Sequence, residues 1–344
     1  MLTMSSVTNQ EITLPMGPYL NQMKPWVTVV CTCFNHEAYI EVALNSVVEQ
    51  RYPNVQLIVI DNASSDQSAV RIRAFVETHP NVLFIQNSQN VGLCCAFNQG
   101  LKQAQGHYII DLSADDVLLP NRLARQIDCF EKLPPEYAVV FSNAAYVDSD
   151  GCFLEHHYPV DHKEQALEPV FSGYVFQRIL EKYYICTPTM MMRRSVLDEL
   201  GGYDESLEYE DFDFWVRSAR HYAYAYIDEV LTHKRRLPNS LSMQVVEPHN
   251  QLLASTLDVC YKAFDRCQTS DEYHALAGRV RQFLRKSFYA EQFELTAKFG
   301  DLLNHIESPG LITSAVLLLN QLHLPVNGLY KHYTRLRYKH WNPI

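Results

Sequence analysis

Short apolar runs alternate with helix-patterned segments over the first part of the chain. Residues 26–33 (WVTVVCTC), 56–60 (QLIVI), 82–85 (VLFI) and 108–112 (YIIDL) have the length and the β-branched or aromatic content of buried strands. Between them, residues 38–50, 67–78 and 93–105 repeat apolar side chains at helical spacing; in the first, Ile40, Ala43, Leu44, Val47 and Val48 form one stripe. A β-α-β-α order predicts a mainly parallel α/β sheet with helices on its faces.

Further along, residues 118–132 predict a helix, 137–142 (YAVVFS) a strand and 147–151 (VDSDG) a turn. A loop follows to Pro169, then a helix over 174–182, an extended run over 187–193 and a late strand over 222–227 (YAYAYI). From about Glu247 the pattern is helical, over 252–265, 273–300 and 311–321. The expected organisation is a flexible N-terminus over 1–24, an α/β domain over 25–246 and a helical extension over 247–344.

Charge narrows the partners. The 344 residues carry a formal net charge of −10, which argues against a nucleic-acid binder, since little of the surface could neutralise a phosphate backbone. The balance is uneven. Residues 308–344 hold Lys331, Arg335, Arg337 and Lys339 and no acid, leaving −14 for residues 1–307. Leucines with Tyr330, Tyr333, Tyr338 and Trp341 lie in and around that basic tail. An anionic membrane surface would suit it, as would packing on the rest of the protein. The nine cysteines show no C-x-x-C spacing and read as buried thiols of a reducing compartment. The N-terminus shows no secretion-signal pattern, and the longest aliphatic stretch is far short of a membrane span. A cytoplasmic protein, soluble or peripheral at the inner face of the membrane, is expected.

In an open parallel sheet, ligands bind beyond the carboxyl ends of the strands. Polar clusters stand there: Phe34-Asn35-His36-Glu37, then Asp61 to Asp66, then Asn87 to Gly92, then Ser113-Ala114-Asp115-Asp116. Asp61 ends a buried run, where its carboxylate could meet a base or ribose. Asp115 and Asp116 suit a hard divalent cation held jointly with a diphosphate. Helix capping is the alternative for Asp66 and for the Asp115-Asp116 pair. Glu208-Tyr209-Glu210-Asp211-Phe212-Asp213 interleaves acids with aromatics, so part of it should be packed, and a packed carboxylate can act as a base.

Taken in order, these segments resemble family 2 glycosyltransferases of the GT-A fold, over roughly residues 25–243. Residues 29–35 (VVCTCFN) look like the family's opening strand, 57–66 (LIVIDNASSD) like its nucleotide-binding strand and turn, and Asn90-Val91-Gly92 with Ala96, Asn98 and Gly100 like its third helix. Ser113 to Asp116 is similar to the D-x-D region, and residues 201–205 with 210–215 to the acceptor-side segment. The resemblance implies a nucleotide-sugar donor, often UDP-linked, and a glycan or lipid-linked acceptor in surface-polysaccharide or lipopolysaccharide assembly. It implies inversion at the anomeric carbon and Mg²⁺ or Mn²⁺ as cofactor. By the same resemblance Asp61 contacts the nucleobase, and Cys33, Phe34, Asn35 and Asn90 line the donor. Asp115 ligates the metal, Asp116 lies near the donor sugar, and Asp211, beside Glu210, is the catalytic base.

Two positions depart from the family pattern. Ser113 replaces the first acid of the D-x-D, and Leu237 stands where a histidine ligand often lies. Arg235 and Arg236 are therefore expected near the diphosphate, in preference to His233 on the metal. Two other functions fit the residues less well: a nucleotidyltransferase or dehydrogenase, because the loop after the first strand has no glycine, and a catalytically silent nucleotide- or glycan-binding module, because Asp61, Asp115 and Asp211 occur together.

Overall fold

The structure, a computed structural model, describes residues 24–237, 240 and 244–337. The N-terminal stretch before Lys24 and the tail residues Tyr338, Lys339 and Trp341 lie outside the described residues, so nothing tests the expectations placed on them.

The first half is three strand–helix units and a fourth strand: β1 Val27–Cys33, α1 Ile40–Val48, β2 Val55–Asp61, α2 Ser68–Thr78, β3 Leu83–Gln86, α3 Leu93–Gln103 and β4 Tyr108–Ser113. These strands pair in parallel in the order β3-β2-β1-β4. Every residue of β1 is buried, the mark of a central strand covered on both faces. Val27, Val29 and Cys31 share one core with Ile40, Leu44 and Ile72, while Val30, Ile58 and Ile60 face Phe97 and Leu101 on the other side. Close packing accounts for Gly100 on α3, where a Cβ would meet Val30 Cγ1 at 2.5 Å.

The second half turns the sheet mixed. After β5 Val117–Leu118 and α4 Arg122–Phe130 come β6 Tyr137–Val147, β7 Phe153–His156, α5 Phe176–Glu181, β8 Met191–Arg193, α6 Arg194–Glu199, α7 Asp211–Ser218 and β9 Ala223–Arg235. Strand β8 joins β4 to β6 through antiparallel pairs, β6 runs parallel to β9, and β5 closes that edge. The mixed, mainly parallel sheet flanked by helices is the expected fold.

Several local expectations are corrected. The extended run over 187–193 is a 3₁₀ turn at Thr187–Thr189 followed by short β8. The helix expected over 118–132 starts only at Arg122, because Val117 and Leu118 pair with His233 and Thr232. The late strand runs on to Arg235, since β6 supplies a parallel partner as far as Val147. Cys152, expected to be buried, is exposed in a turn whose N–H groups bond to Asp148.

The extension comprises α8 Leu252–Phe264, α9 Ser270–Tyr289, α10 Phe293–Ile306, α11 Leu311–Gln321 and α12 Asn327–Arg337. The single helix expected over 273–300 is split at Glu291, which has φ +58°. The N–H groups of Glu291 and Gln292 bond back to Phe288 and Ser287, a Schellman-type C-terminus. Leu253, Cys260, Leu276, Phe283 and Phe299 join the same core as Phe97 and Trp215. No helix among the described residues is long and apolar enough to cross a membrane.

Candidate active site

Three strand ends set the frame. Cys33 is level with Asp61 and Thr32 with Ser113, so the ends of β1, β2 and β4 lie side by side at the ~4.8 Å strand spacing. The loops that follow are tied together. Asn35, at φ +58°, accepts the Ser65 N–H at 2.8 Å, and its own N–H donates to Ser64 Oγ at 2.9 Å. The Glu37 N–H donates to Asp66 at 3.0 Å, and Glu37 accepts the Gln67 N–H at 2.7 Å. Asp66 also accepts the Ser68 N–H at 2.9 Å, just before α2, whose N-cap position is Gln67. Phe34 projects from this loop half exposed, while Cys33 is buried beneath it.

Asp61 is fully buried, accepting the Ser64 N–H at 3.2 Å and the Gln86 amide at 3.4 Å. Asn62 builds the third loop: its side chain accepts the Val91 N–H at 3.0 Å and donates to Asn90 Oδ1 at 2.9 Å. Asn90 in turn accepts the Gly92 N–H at 2.9 Å.

The acidic turn does not cap a helix. Ser113 Oγ donates to Asp115 Oδ1 at 2.5 Å, and Asp116 Oδ1 accepts the Arg235 N–H at 2.8 Å. Burial first, then the neighbouring Asp115, push the Asp116 carboxyl up to about 8, although Lys234 and the Arg235 N–H favour its charge.

The acidic segment after β8 divides by role. Asp211 opens α7, where a helix N-terminus favours negative charge. It accepts the Thr187 hydroxyl at 2.8 Å and the Phe212 N–H at 2.6 Å. Glu210 is pushed well above the carboxylate range by burial, and further by Asp211 and Asp111. Asp111, on β4, rises to about 7 through burial and the charge of Asp211, with the Tyr203 hydroxyl acting the other way. Asp213 instead pairs with Arg217 and Lys262, both at 2.6 Å, and Glu208 is exposed.

The arginines expected at the diphosphate are engaged elsewhere. Arg235 directs Nε to the Asp115 carbonyl at 3.1 Å and a terminal nitrogen to the carbonyls of Asp148 and Ser149, and lies over the Tyr39 ring. Arg236 pairs with Glu155 at 2.6 Å and covers the Tyr146 ring at 3.8 Å. Lys234, outside the residues expected at the site, lies where its ammonium favours the charged forms of both Asp116 and Glu210. Its nearest polar partner is the Tyr183 hydroxyl at 3.4 Å. Strand alternation, which sends residues 234 and 235 to opposite faces, was the available signal. His233, paired opposite Val117, has its imidazole held below the ordinary range by burial and Arg235. Among the described residues no three His, Cys, Asp or Glu converge on a metal-sized site.

The chain and its fold have counterparts. An uncharacterized glycosyltransferase of Methanocaldococcus jannaschii, MJ1057, is 30% identical over 220 residues, covering 63% of this chain and 72% of that one. Residues 1–349 of Staphylococcus aureus TarS, solved with UDP-GlcNAc, superpose with a TM-score of 0.64 at 16% identity, covering 92% of this chain and 93% of the fragment. The mannosyltransferase PcManGT of Pyrobaculum calidifontis, solved with GDP-Man and Mn²⁺, gives 0.55 at 15% identity, covering 93% and 89%. These two likenesses speak for the fold. The profile of glycosyl transferase family 2 matches residues 28–201, half of the chain and every strand end described above, and the protein belongs to that family, with its GT-A fold.

Proposed function

We propose that the chain transfers a sugar from a nucleotide-diphosphate donor to a hydroxyl of a glycan or lipid-linked acceptor, with inversion and with Asp211 as base. The observation that carries this reading is the Asp211 carboxylate, fixed by Thr187 at the start of α7 and close enough to Asp111 on β4 to raise its pKa. In one step Asp211 takes the acceptor hydroxyl proton, the freed oxygen bonds to the anomeric carbon, and the bond from that carbon to the diphosphate breaks on the opposite face. Burial, then Asp211 and Asp111, push Glu210 toward its neutral form, which lessens the negative charge beside the base.

The donor lies across the ends of β1, β2 and β4, with Cys33, Phe34, Asn35 and Asn90 along it. Asp61 is the residue for the base, which must first open the long Gln86 contact. TarS with UDP-GlcNAc supports a UDP-linked hexose or N-acetylhexosamine. PcManGT with Mn²⁺ supports a divalent ion. The donor set fits an ion that arrives with the diphosphate, because Asp115 offers one carboxylate beside the Ser113 hydroxyl while Asp116 is tied to Arg235. When bound, Mg²⁺ or Mn²⁺ would offset charge on the leaving diphosphate. The acceptor class fits assembly of surface polysaccharide or lipopolysaccharide at the cytoplasmic face of a membrane.

Thermal-shift measurements with nucleotide sugars, with and without Mn²⁺, test the donor, and hydrolysis of the stabilising donor tests catalysis. Asp211→Asn should lower turnover by about 10³-fold while sparing donor affinity. Lost donor affinity in that variant would overturn the base assignment, and a stabilising donor that is never turned over would favour a silent binding module.

A further inference from the structure

Lys234 is joined to Asp211 by hydrogen bonds in series, through Tyr183 and Thr187. The Lys234 ammonium lies 3.4 Å from the Tyr183 oxygen, that oxygen lies 2.7 Å from Thr187 Oγ1, and Thr187 Oγ1 lies 2.8 Å from Asp211 Oδ2. Tyr183 and Thr187 come from the stretch between α5 and β8, Asp211 from the start of α7 and Lys234 from the end of β9.

The chemistry of the two ends fixes which way each hydrogen points. An ammonium only donates and a carboxylate only accepts. The Tyr183 oxygen receives the Lys234 N–H and, at 3.3 Å, the Thr187 backbone N–H, so its own hydrogen is left for Thr187 Oγ1. Thr187, accepting there, turns its hydrogen to Asp211. Burial pushes the Tyr183 hydroxyl up to about 12 although Lys234 favours its charged form, so that hydrogen is present at neutral pH.

Packing keeps the relay in step with the helix that carries Asp211. The Tyr183 ring lies 5.5 Å from Trp215, one turn along α7 from Asp211, and 5.9 Å from His157. The other Asp211 oxygen takes the Phe212 N–H at 2.6 Å. The last torsion of an aspartate side chain is soft; here a donor on each oxygen holds it.

We propose that Tyr183 and Thr187 are positioning residues that hold the Asp211 carboxylate in one orientation through a hydrogen-bond relay beginning at Lys234. The inference rests on the reading of Asp211 as the base. A base held in place meets the acceptor hydroxyl without first searching for its orientation, a gain in turnover and not in donor affinity.

The test is hydrolysis, with water as acceptor, of the nucleotide sugar that most raises the wild-type melting temperature. Thr187→Val keeps the side-chain shape and removes the hydroxyl. It should lower the turnover number about tenfold at unchanged KM and melting temperature, and Thr187→Ser should retain most of the rate. Tyr183→Phe should lower turnover about threefold. Because the relay acts through the base, Thr187→Val should cost nothing more in the Asp211→Asn protein. Wild-type turnover in Thr187→Val beside a slow Asp211→Asn overturns the relay and leaves the base assignment standing. Wild-type turnover in Asp211→Asn overturns the base assignment and the relay with it. Losses that multiply in the double variant also overturn the relay, as does a Thr187→Val defect that Thr187→Ser shares in full.

Discussion

The backbone N–H of Arg235 donates to Asp116 Oδ1 at 2.8 Å across 119 residues of sequence, and the Arg235 guanidinium meets the Asp115 carbonyl at 3.1 Å. The acidic turn is therefore bolted to the end of β9 by one residue. Arg235→Met should lower stability by about 2–4 kcal/mol, because buried carbonyls lose charged donors, and should weaken donor binding as a consequence. Urea unfolding checks it. Lost donor affinity at unchanged stability would instead place the guanidinium on the diphosphate.

Lys234 lies within electrostatic reach of Asp116 in the turn and of Glu210 at the α7 entry, so it is a candidate to answer the charge of a bound diphosphate. Lys234→Met should weaken UDP binding about tenfold, roughly 1.4 kcal/mol, and leave uridine binding unchanged. Calorimetry with the two ligands separates these contributions. Lys234→Arg should retain part of the affinity, and equal UDP affinity in all three proteins would rule the role out.

Two adjacent glycines should differ in cost. Gly202 has φ +78°, and a Cβ there would meet Asn98 Oδ1 at 2.5 Å. Asn98 cannot move away cheaply, because it bonds both the N–H and the carbonyl of Tyr203. Gly201 has φ +74° with open space around it. Gly201→Ala should cost about 1 kcal/mol from backbone strain alone, and Gly202→Ala about 3 kcal/mol or more. Chemical denaturation of the two variants gives the comparison, and equal losses would contradict it.

Stability should rise on acidification from pH 8, with a buried histidine opposing the gain. Asp111, raised to about 7 by burial and by Asp211, is ionised at a cost in the fold at pH 8. On acidification it takes up a proton in the folded state before the unfolded chain does, so the fold gains. His157 works the other way. Burial, with Lys234, Lys182 and Arg236 nearby, holds it down to about 4 although its bond to the Tyr184 carbonyl favours charge. Below its ordinary value of 6.5 the unfolded chain binds the proton and the fold loses. Asp116, pushed up to about 8, and Glu210, also raised, add to the gain of Asp111, so melting temperature should rise as pH falls from 8 and rise less steeply below about 6.5, where His157 opposes it. Asp111→Asn should lessen the rise, and His157→Asn should steepen it below pH 6.5; a steady fall from pH 8 downward in the wild type would refute this.

The sequence by itself determined the parallel half of the sheet and the polar residues at its carboxyl edge. Buried parallel strands are continuous apolar runs, and the polar residues at their carboxyl ends have no partner within the run, so Asp61, Asn90 and the Ser113–Asp116 turn were legible in order. Tertiary structure decided what each polar residue does. Asp115-Asp116 and a helix cap look alike in sequence, and only the pairing of Val117 and Leu118 with β9 excluded the cap. Of three consecutive cations, strand alternation and the carbonyls of Asp148 and Ser149 turned Arg235 into a brace and left Lys234 beside Tyr183, Tyr146 and Asp116. The same holds for α11, whose leucines were visible in the sequence, but whose outward-facing set was decided by the burial of Thr313 and Asn320, the latter donating to the Phe293 carbonyl, and by Val316 and Leu317 packing on the core. Local patterns record which residues prefer burial; which face is buried depends on neighbours brought together from distant parts of the chain.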